Sequence, residues 1–335
     1  MTIIPGEAII IKMWESLVDT GIGGLLKPWQ MRRTGRAAYQ IRAEEMVAFA
    51  KAEANIKQLR HDALLIYRTE PILLNEPIVS DISGNNVQVL GLNRSAETVA
   101  ETYQLADLVR KEVNVAKAVL EAENVLEHDN SHQPDAVPEK DWLYRWRDFA
   151  GEASTESMQR LWGSVLAGEI KTPGSYSLRT LDFLRCLSQS EAKLIELVAP
   201  FVIEDCIWRG SNNSMHAQHG LALKDVLILQ DLGLLSGAEG MLQRTWTASS
   251  DHPTALLLKS WNKGLYLTGP LKQARVDVVK ATLLGEQIFP LCHPKVNLNY
   301  LRELGEKIKS TGFDVAVVDF QIYSDKYNIF NAVQL

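Results

Sequence analysis

Apolar positions recur at helical spacing through most of the chain, so the elements they predict are mainly helices. Ile10, Met13, Trp14, Leu17 and Val18 place a short helix over residues 6–20, and Gly21, Gly23 and Gly24 break it as a hinge. Pro28 opens a second helix at its first turn, and a composition rich in Ala, Arg, Glu, Gln and Lys carries that helix to about Arg68. Residues 70–94 hold the turn formers Pro71, Pro77, Gly84, Asn85 and Asn86, with a short strand predicted over 87–90. Another long helix is predicted over 96–128, with Leu105, Leu108, Val109, Val113, Ala116, Leu120 and Val125 as its apolar stripe. The two long segments oppose each other in charge. Residues 27–68 hold nine Lys/Arg and four Asp/Glu, residues 97–141 four and eleven. They are expected to pair as an antiparallel helical hairpin.

Residues 129–140 are polar, contain Pro134 and Pro138, and read as the linker at the main domain boundary. Beyond it, Trp142, Trp146, Phe149 and Ala150 share one helix face. Ser154 is positioned to cap the next helix, whose stripe is Met158, Leu161, Trp162, Val165, Leu166 and Ile170, and Pro173-Gly174 stops it. A third helix carries Leu178, Leu181, Phe183, Leu184 and Leu187. Ser188 to Glu191 has capping-box spacing and opens a fourth helix to about Asp205. The last third mixes helix and strand: a helix over 221–235, strands over 256–261, 264–267 and 275–279, helices capped by Thr282 and Asn297, and a terminal strand over 315–322. A helix followed by strand–turn–strand has the profile of a winged helix. The fold expected is therefore mainly α: an N-terminal long helical hairpin region in 1–128, a linker at 129–140, a helical middle domain in 141–219 and a winged-helix-like α+β part in 220–335.

With 335 residues, 46% of them hydrophobic and 23% charged, the chain has material for two or three domains with real cores. A net charge of -6 excludes a globally basic nucleic-acid binder. The start lacks a basic n-region and a cleavage site, and no stretch reaches the roughly 18 apolar residues of a spanning helix. Cys186, Cys206 and Cys292 are too few and too scattered for a disulfide framework or a zinc site, which points to a reducing, cytoplasmic setting.

No motif in the chain assigns a reaction. Gly21, Gly23 and Gly24 lack both the Gly-Lys-Ser/Thr ending of a phosphate loop and the preceding strand of a dinucleotide fold. His216 and His219, with Cys206 and Glu204-Asp205 nearby, have a spacing that could ligate a metal, but the Asn, Ser and Gly around them read as a surface loop. No cofactor or metal is expected. Glu169 and Arg179 flank the Pro-Gly turn and are placed to form an ion pair that fixes the corner. The helix expected to read DNA holds Lys224 against Asp225 and Asp231, which favours packing on protein. The most distinctive surface feature is basic: Lys27, Arg32, Arg33, Arg36 and Arg42, together with Trp29. It is the candidate for contact with an anionic membrane surface or nucleic acid, the rival reading being pairing with the acidic second helix.

One stretch carries a resemblance. Trp162-x-x-x-Leu166-Ala167-Gly168-Glu169-Ile170, then Pro173 to Leu181, then Leu187-Ser188-x-x-Glu191-Ala192, resembles a bacterial family known as domain of unknown function 2806. Leu229-x-x-Leu232-Gly233-Leu234-Leu235 and Thr282-Leu283-x-Gly285-x-x-Ile288 look similar too, and the arrangement is loosely similar to Abi-alpha proteins of abortive infection. The resemblance spans about 100–310 and transfers no catalytic residue. It implies a bacterial protein of phage defence. The expected function is a non-enzymatic interaction or effector protein of abortive-infection type, with a protein partner or self-association. A winged-helix DNA-binding regulator is the alternative. The expected location is cytoplasmic, with peripheral attachment at the inner face of the membrane as its variant.

Overall fold

The computed structural model describes residues 6–22, 51–62, 65, 94–127, 129, 136–210, 215–248, 254–323 and 326–335. It is mainly helical, and two antiparallel sheets stand in its C-terminal part. The chain divides into two compact units, Met1–Leu178 and Arg179–Leu335. The division does not fall in the polar 129–140 segment, because the helices on either side of that segment pack on each other.

In the first unit, α1 (Glu7–Asp19) buries Ile9, Met13, Trp14 and Leu17. Residues 51–62 are helical. Helix α2 (Arg94–Leu126) has 33 residues and is about 50 Å long. Helices α3 (Lys140–Glu152) and α4 (Glu156–Lys171) pack along it, and α1 packs on α2 and α4. The buried face of α2 differs from the predicted stripe. Val113 and Ala116 are buried, but Leu105, Leu108 and Val125 are exposed, and the other buried residues are Val99, Ala106, Asn114, Val115, Ala118, Val119, Ala122 and Leu126. Small residues lie there because α4 comes very close: a Cβ at Gly163 would stand 2.6 Å from Glu121 Cβ and 2.8 Å from the Ala118 carbonyl oxygen.

Trp142, Trp146, Phe149, Ala150 and Trp162 are all buried, as their spacing predicts. The Trp146 indole N–H donates to the Trp162 carbonyl at 2.9 Å, which ties α3 to α4 with a satisfied polar group. The cap of α4 is Thr155, not Ser154: its hydroxyl accepts the Met158 N–H. Arg147 pairs with Glu112. Of the predicted hairpin, residues 23–50 and 66–93 lie outside the described residues. Among those described, Lys117 of α2 donates to Glu53 at 2.6 Å, with the sign of each charge opposite to the average of its segment.

The second unit begins within α5 (Leu178–Cys186), after its first residue, and continues into α6 (Gln189–Val198). The predicted capping box forms: the Ser188 hydroxyl accepts the Glu191 N–H and the Glu191 carboxylate accepts the Ser188 N–H. Helix α6 ends well before Asp205. A 3-10 turn (Ala199–Phe201) follows it, then strand β1 (Cys206–Trp208), a 3-10 turn (Ala217–His219), helix α7 (Leu223–Asp231), and strands β2 (Leu235–Ser236) and β3 (Leu242–Thr247). The chain continues through β4 (Thr254–Ser260), β5 (Lys263–Gly269), β6 (Gln273–Ala281), helix α8 (Leu283–Ile288), a 3-10 turn (Phe289–Cys292), helix α9 (Leu298–Lys309), β7 (Asp314–Tyr323) and β8 (Lys326–Gln334).

Strand β6 is the centre of the first sheet. Val278 pairs with Trp208 of β1 and with Leu242 of β3, so β1 lies on one side and β2 and β3 on the other. The second sheet runs β4-β5-β7-β8, antiparallel throughout. Helix α9 packs on β7 and β5 and buries Leu301, Leu304 and Ile308, while its Tyr300 meets Trp208 of β1 and Phe201. The caps read from the sequence hold here: Thr282 Oγ1 accepts the Gly285 N–H and Asn297 Oδ1 accepts the Tyr300 N–H.

Candidate functional site

Three side chains that could share a ligand meet where β1 faces α9. His216 follows a bend in which Met215 N–H donates to the Arg209 carbonyl, and its own carbonyl accepts from His219 N–H and Leu221 N–H. Those bonds turn the backbone so that His216 is buried and His219 lies beside it. The His216 ring is enclosed by Trp208, 4.9 Å away between centroids, Tyr300 at 4.7 Å and Phe201 at 6.3 Å. Its Nε2 lies 2.9 Å from the Trp208 carbonyl oxygen. A carbonyl only accepts, so Nε2 carries the proton. Nδ1 then turns to the Glu303 carboxylate, 3.8 Å away, and makes no hydrogen bond among the described residues. Burial holds the His216 imidazole below its ordinary pKa, against the raising effects of the Trp208 hydrogen bond and Glu303.

Glu303, one turn along α9 from Tyr300, is held from several sides. His219 Nε2 lies 2.9 Å from Oε1, and the Gln218 amide donates to both oxygens at 3.2 and 3.4 Å. Burial alone would raise the Glu303 carboxyl, but those hydrogen bonds and the two imidazoles outweigh it and hold it below the usual range. The ligating atoms of His216, His219 and Glu303 all lie within 4.8 Å of one another. The surface-loop expectation for this pair is therefore corrected: His216 is core, held by an aromatic cage. Cys206 is a buried thiol on β1, donating to the Ile203 carbonyl at 3.4 Å, and burial pushes its pKa up. Burial, with the charge of Glu196, also pushes Cys292 up to about 11, so both thiols are neutral at pH 7.

A cavity of about 440 Å³ opens elsewhere in the second unit, lined in part by Glu204, Asp205, Arg244, Lys259, Trp261 and Glu286. Glu204 (φ 54°) and Trp261 (φ 56°) both take left-handed backbone that non-glycine residues rarely adopt. The charges pair among themselves. Arg244 lies 3.6 Å from Glu204 and 3.3 Å from Asp205, and the Trp246 indole donates to Glu204 at 2.8 Å. The lining holds no imidazole, thiol or hydroxyl among the described residues.

The stretch behind the family resemblance forms the corner after α4. Trp162 is buried, and Gly168 leaves room for the Tyr176 ring, since a Cβ there would meet Tyr176 Cε2 at 2.7 Å. Trp142 Nε1 donates to the Tyr176 carbonyl at 2.7 Å. The Glu169 carboxylate accepts the backbone N–H groups of Gly174 at 2.6 Å and Tyr176 at 3.0 Å. The expected partner of Glu169, Arg179, is replaced by backbone amides. Residues 100–205 match a family model described as protein of unknown function, DUF2806. This stretch is a DUF2806 region. It takes in about a third of the chain, and its most specific residues, Trp162 to Tyr176, do structural work in this corner. Comparison with curated proteins and with solved structures gave no match. The two similar stretches at 229–235 and 282–288 lie beyond the DUF2806 region.

Glu169 makes the DUF2806 corner sensitive to pH. Burial raises its pKa above 4.5, with the backbone N–H groups opposing. The protonated form is therefore favoured more in the folded than in the unfolded chain. Its contribution is complete below about pH 4.5 and is lost as pH rises through the folded pKa. Urea unfolding of the chain and of Glu169→Gln across this range should show the parent losing stability relative to the variant as pH rises. A constant difference would mean that the amides fully offset burial.

Of the residues singled out from the sequence as an anionic-surface site, Lys27, Trp29, Arg32, Arg33, Arg36 and Arg42 all lie outside the described residues. No helix among those described is long and apolar enough to cross a membrane. Glu303 was missed. It lies 84 residues from His219, and the only local signal was the Asn297 cap, which places Tyr300 and Glu303 three apart on one helix.

Proposed function

We propose that the protein is a non-enzymatic interaction protein of the cytoplasm, that residues 189–281 form a winged-helix-like unit, and that this unit engages protein rather than duplex DNA. Supporting the winged-helix part is the order of elements: α6, β1, a turn, α7, then β2 and β3, with the returning β6 between β1 and that pair. The observation that carries the protein-binding part is the outward face of α7. Leu223, Lys224, Ile228 and Asp231 are exposed there, two apolar side chains with one cation and one anion. Major-groove readers present Arg, Lys, Asn or Gln to bases and phosphates. The N-terminal long hairpin belongs to the same proposal, supported by the Lys117–Glu53 contact. An abortive-infection role rests on the family resemblance alone.

The deciding experiment is an anisotropy titration of the full chain with labelled duplexes across a range of salt. The expected result is weak binding with no preference among sequences. Binding to one duplex about 10³-fold tighter than to random duplex would replace this reading with the DNA-binding regulator. For the defence role, phage plating on bacteria with and without the gene should differ, and equal plating across a phage panel would remove it.

A further inference from the structure

We propose that His216, His219 and Glu303 bind a divalent transition-metal ion of the zinc type, with His216 Nδ1, His219 Nε2 and a Glu303 oxygen as its protein ligands. The inference rests on one buried atom. His216 has its proton fixed on Nε2 by the Trp208 carbonyl, so Nδ1 presents a lone pair. That lone pair faces the Glu303 carboxylate at 3.8 Å and makes no hydrogen bond among the described residues, while the carboxylate is held by His219 and Gln218. Two electron-rich groups facing each other repel, and the imidazole, being buried, has no water to relieve it. A cation between them turns the repulsion into coordination.

The remaining geometry fits a metal. Ligand atoms at 2.0–2.2 Å from a tetrahedral ion stand about 3.4 Å apart. Here His219 Nε2 to Oε1 is 2.9 Å, His216 Nδ1 to Oε2 is 3.8 Å and all the ligand atoms lie within 4.8 Å of one another, so small side-chain movements close the set. The contact of the second His216 nitrogen with a backbone carbonyl is the usual way a ligating imidazole is oriented, and Gln218 holds the carboxylate in the same manner. The cage of Trp208, Tyr300 and Phe201 keeps the ring from turning away. Burial favours the neutral imidazole that coordination requires. Two imidazoles and one carboxylate suit Zn²⁺, Co²⁺ or Ni²⁺ rather than Mg²⁺ or Ca²⁺, which take oxygen ligands. Glu303 is about a third exposed, so the fourth position opens to water. The ion would clip β1 of the first sheet to α9, which covers the second. It adds to the interaction reading above and does not depend on it.

The test uses the full chain, stripped with a chelator and titrated with Zn²⁺ by calorimetry, with native mass spectrometry for stoichiometry. One equivalent should bind, Mg²⁺ should not compete, and the melting temperature should rise. His219→Ala and Glu303→Gln, both nearer the surface than His216, should each weaken binding about tenfold or more while keeping the metal-free melting temperature close to the parent. Co²⁺ should give visible d–d bands in the parent that are lost in both variants. Absence of Zn²⁺ binding, or unchanged affinity in both variants, overturns the site. So does an imidazole resonance of His216 that titrates above its ordinary pKa in the metal-free chain, because a proton would then fill the gap.

Discussion

Trp162→Ala is expected to lower the unfolding free energy by about 3–5 kcal/mol. Trp162 is 1% exposed, sits in the middle of α4, and tilts against Phe149 at 5.9 Å between ring centroids. Truncation removes a large buried side chain and leaves a cavity beside Phe149 that stiff helices fill only in part. The Trp162 backbone carbonyl remains, so the hydrogen bond from Trp146 survives and the loss reports packing alone. Urea unfolding measures it, and a loss under about 1 kcal/mol would place the side chain at the periphery of the core.

Gly163→Ala should also destabilise, by about 1–3 kcal/mol, although alanine is the better helix former by about 1 kcal/mol. The added methyl would stand 2.8 Å from the Ala118 carbonyl oxygen and 2.9 Å from the Ala122 amide nitrogen. Both are backbone atoms of α2, so no side chain can rotate away and the helices must separate. Separation then loosens the packing of α4 on α2. Thermal unfolding decides the sign, and a rise in melting temperature would mean that α4 moves off α2 at no cost.

The same close approach explains what the sequence concealed. A stripe of Leu and Val is the usual mark of a buried helix face, and on α2 it pointed to Leu105, Leu108 and Val125, all exposed. Alanines, which carry little hydropathy signal, share the buried side with Val113, Val115, Val119 and Leu126, and the role of Ala118 and Ala122 depends on a glycine about forty residues away. Local chemistry was legible: the Ser188–Glu191 box, the Thr282 and Asn297 caps, and the tryptophan face of α3 all depend on near neighbours. Strand β1 has three residues and β3 is mostly polar, so neither stands out without its partner β6. Glu303 looks like any exposed helix acid until α9 is placed beside the His216 bend. The DUF2806 motif was readable as a pattern, but its meaning, a carboxylate holding backbone amides around Pro173-Gly174, required coordinates.

The path of the chain through the two sheets bears on how the second unit comes to fold. Between β3 and β6, neighbours in the first sheet, the chain leaves to lay down β4 and β5 in the second. Strand β5 then waits for β7, some fifty residues further on. Neither sheet can close as a local hairpin series, and each has to hold its place until distant chain arrives. Such high contact order slows folding and leaves strand edges open to other chains in the meantime. Cutting the chain after β6 would strand β5 with one bare edge, so the two sheets should be made, and lost, together.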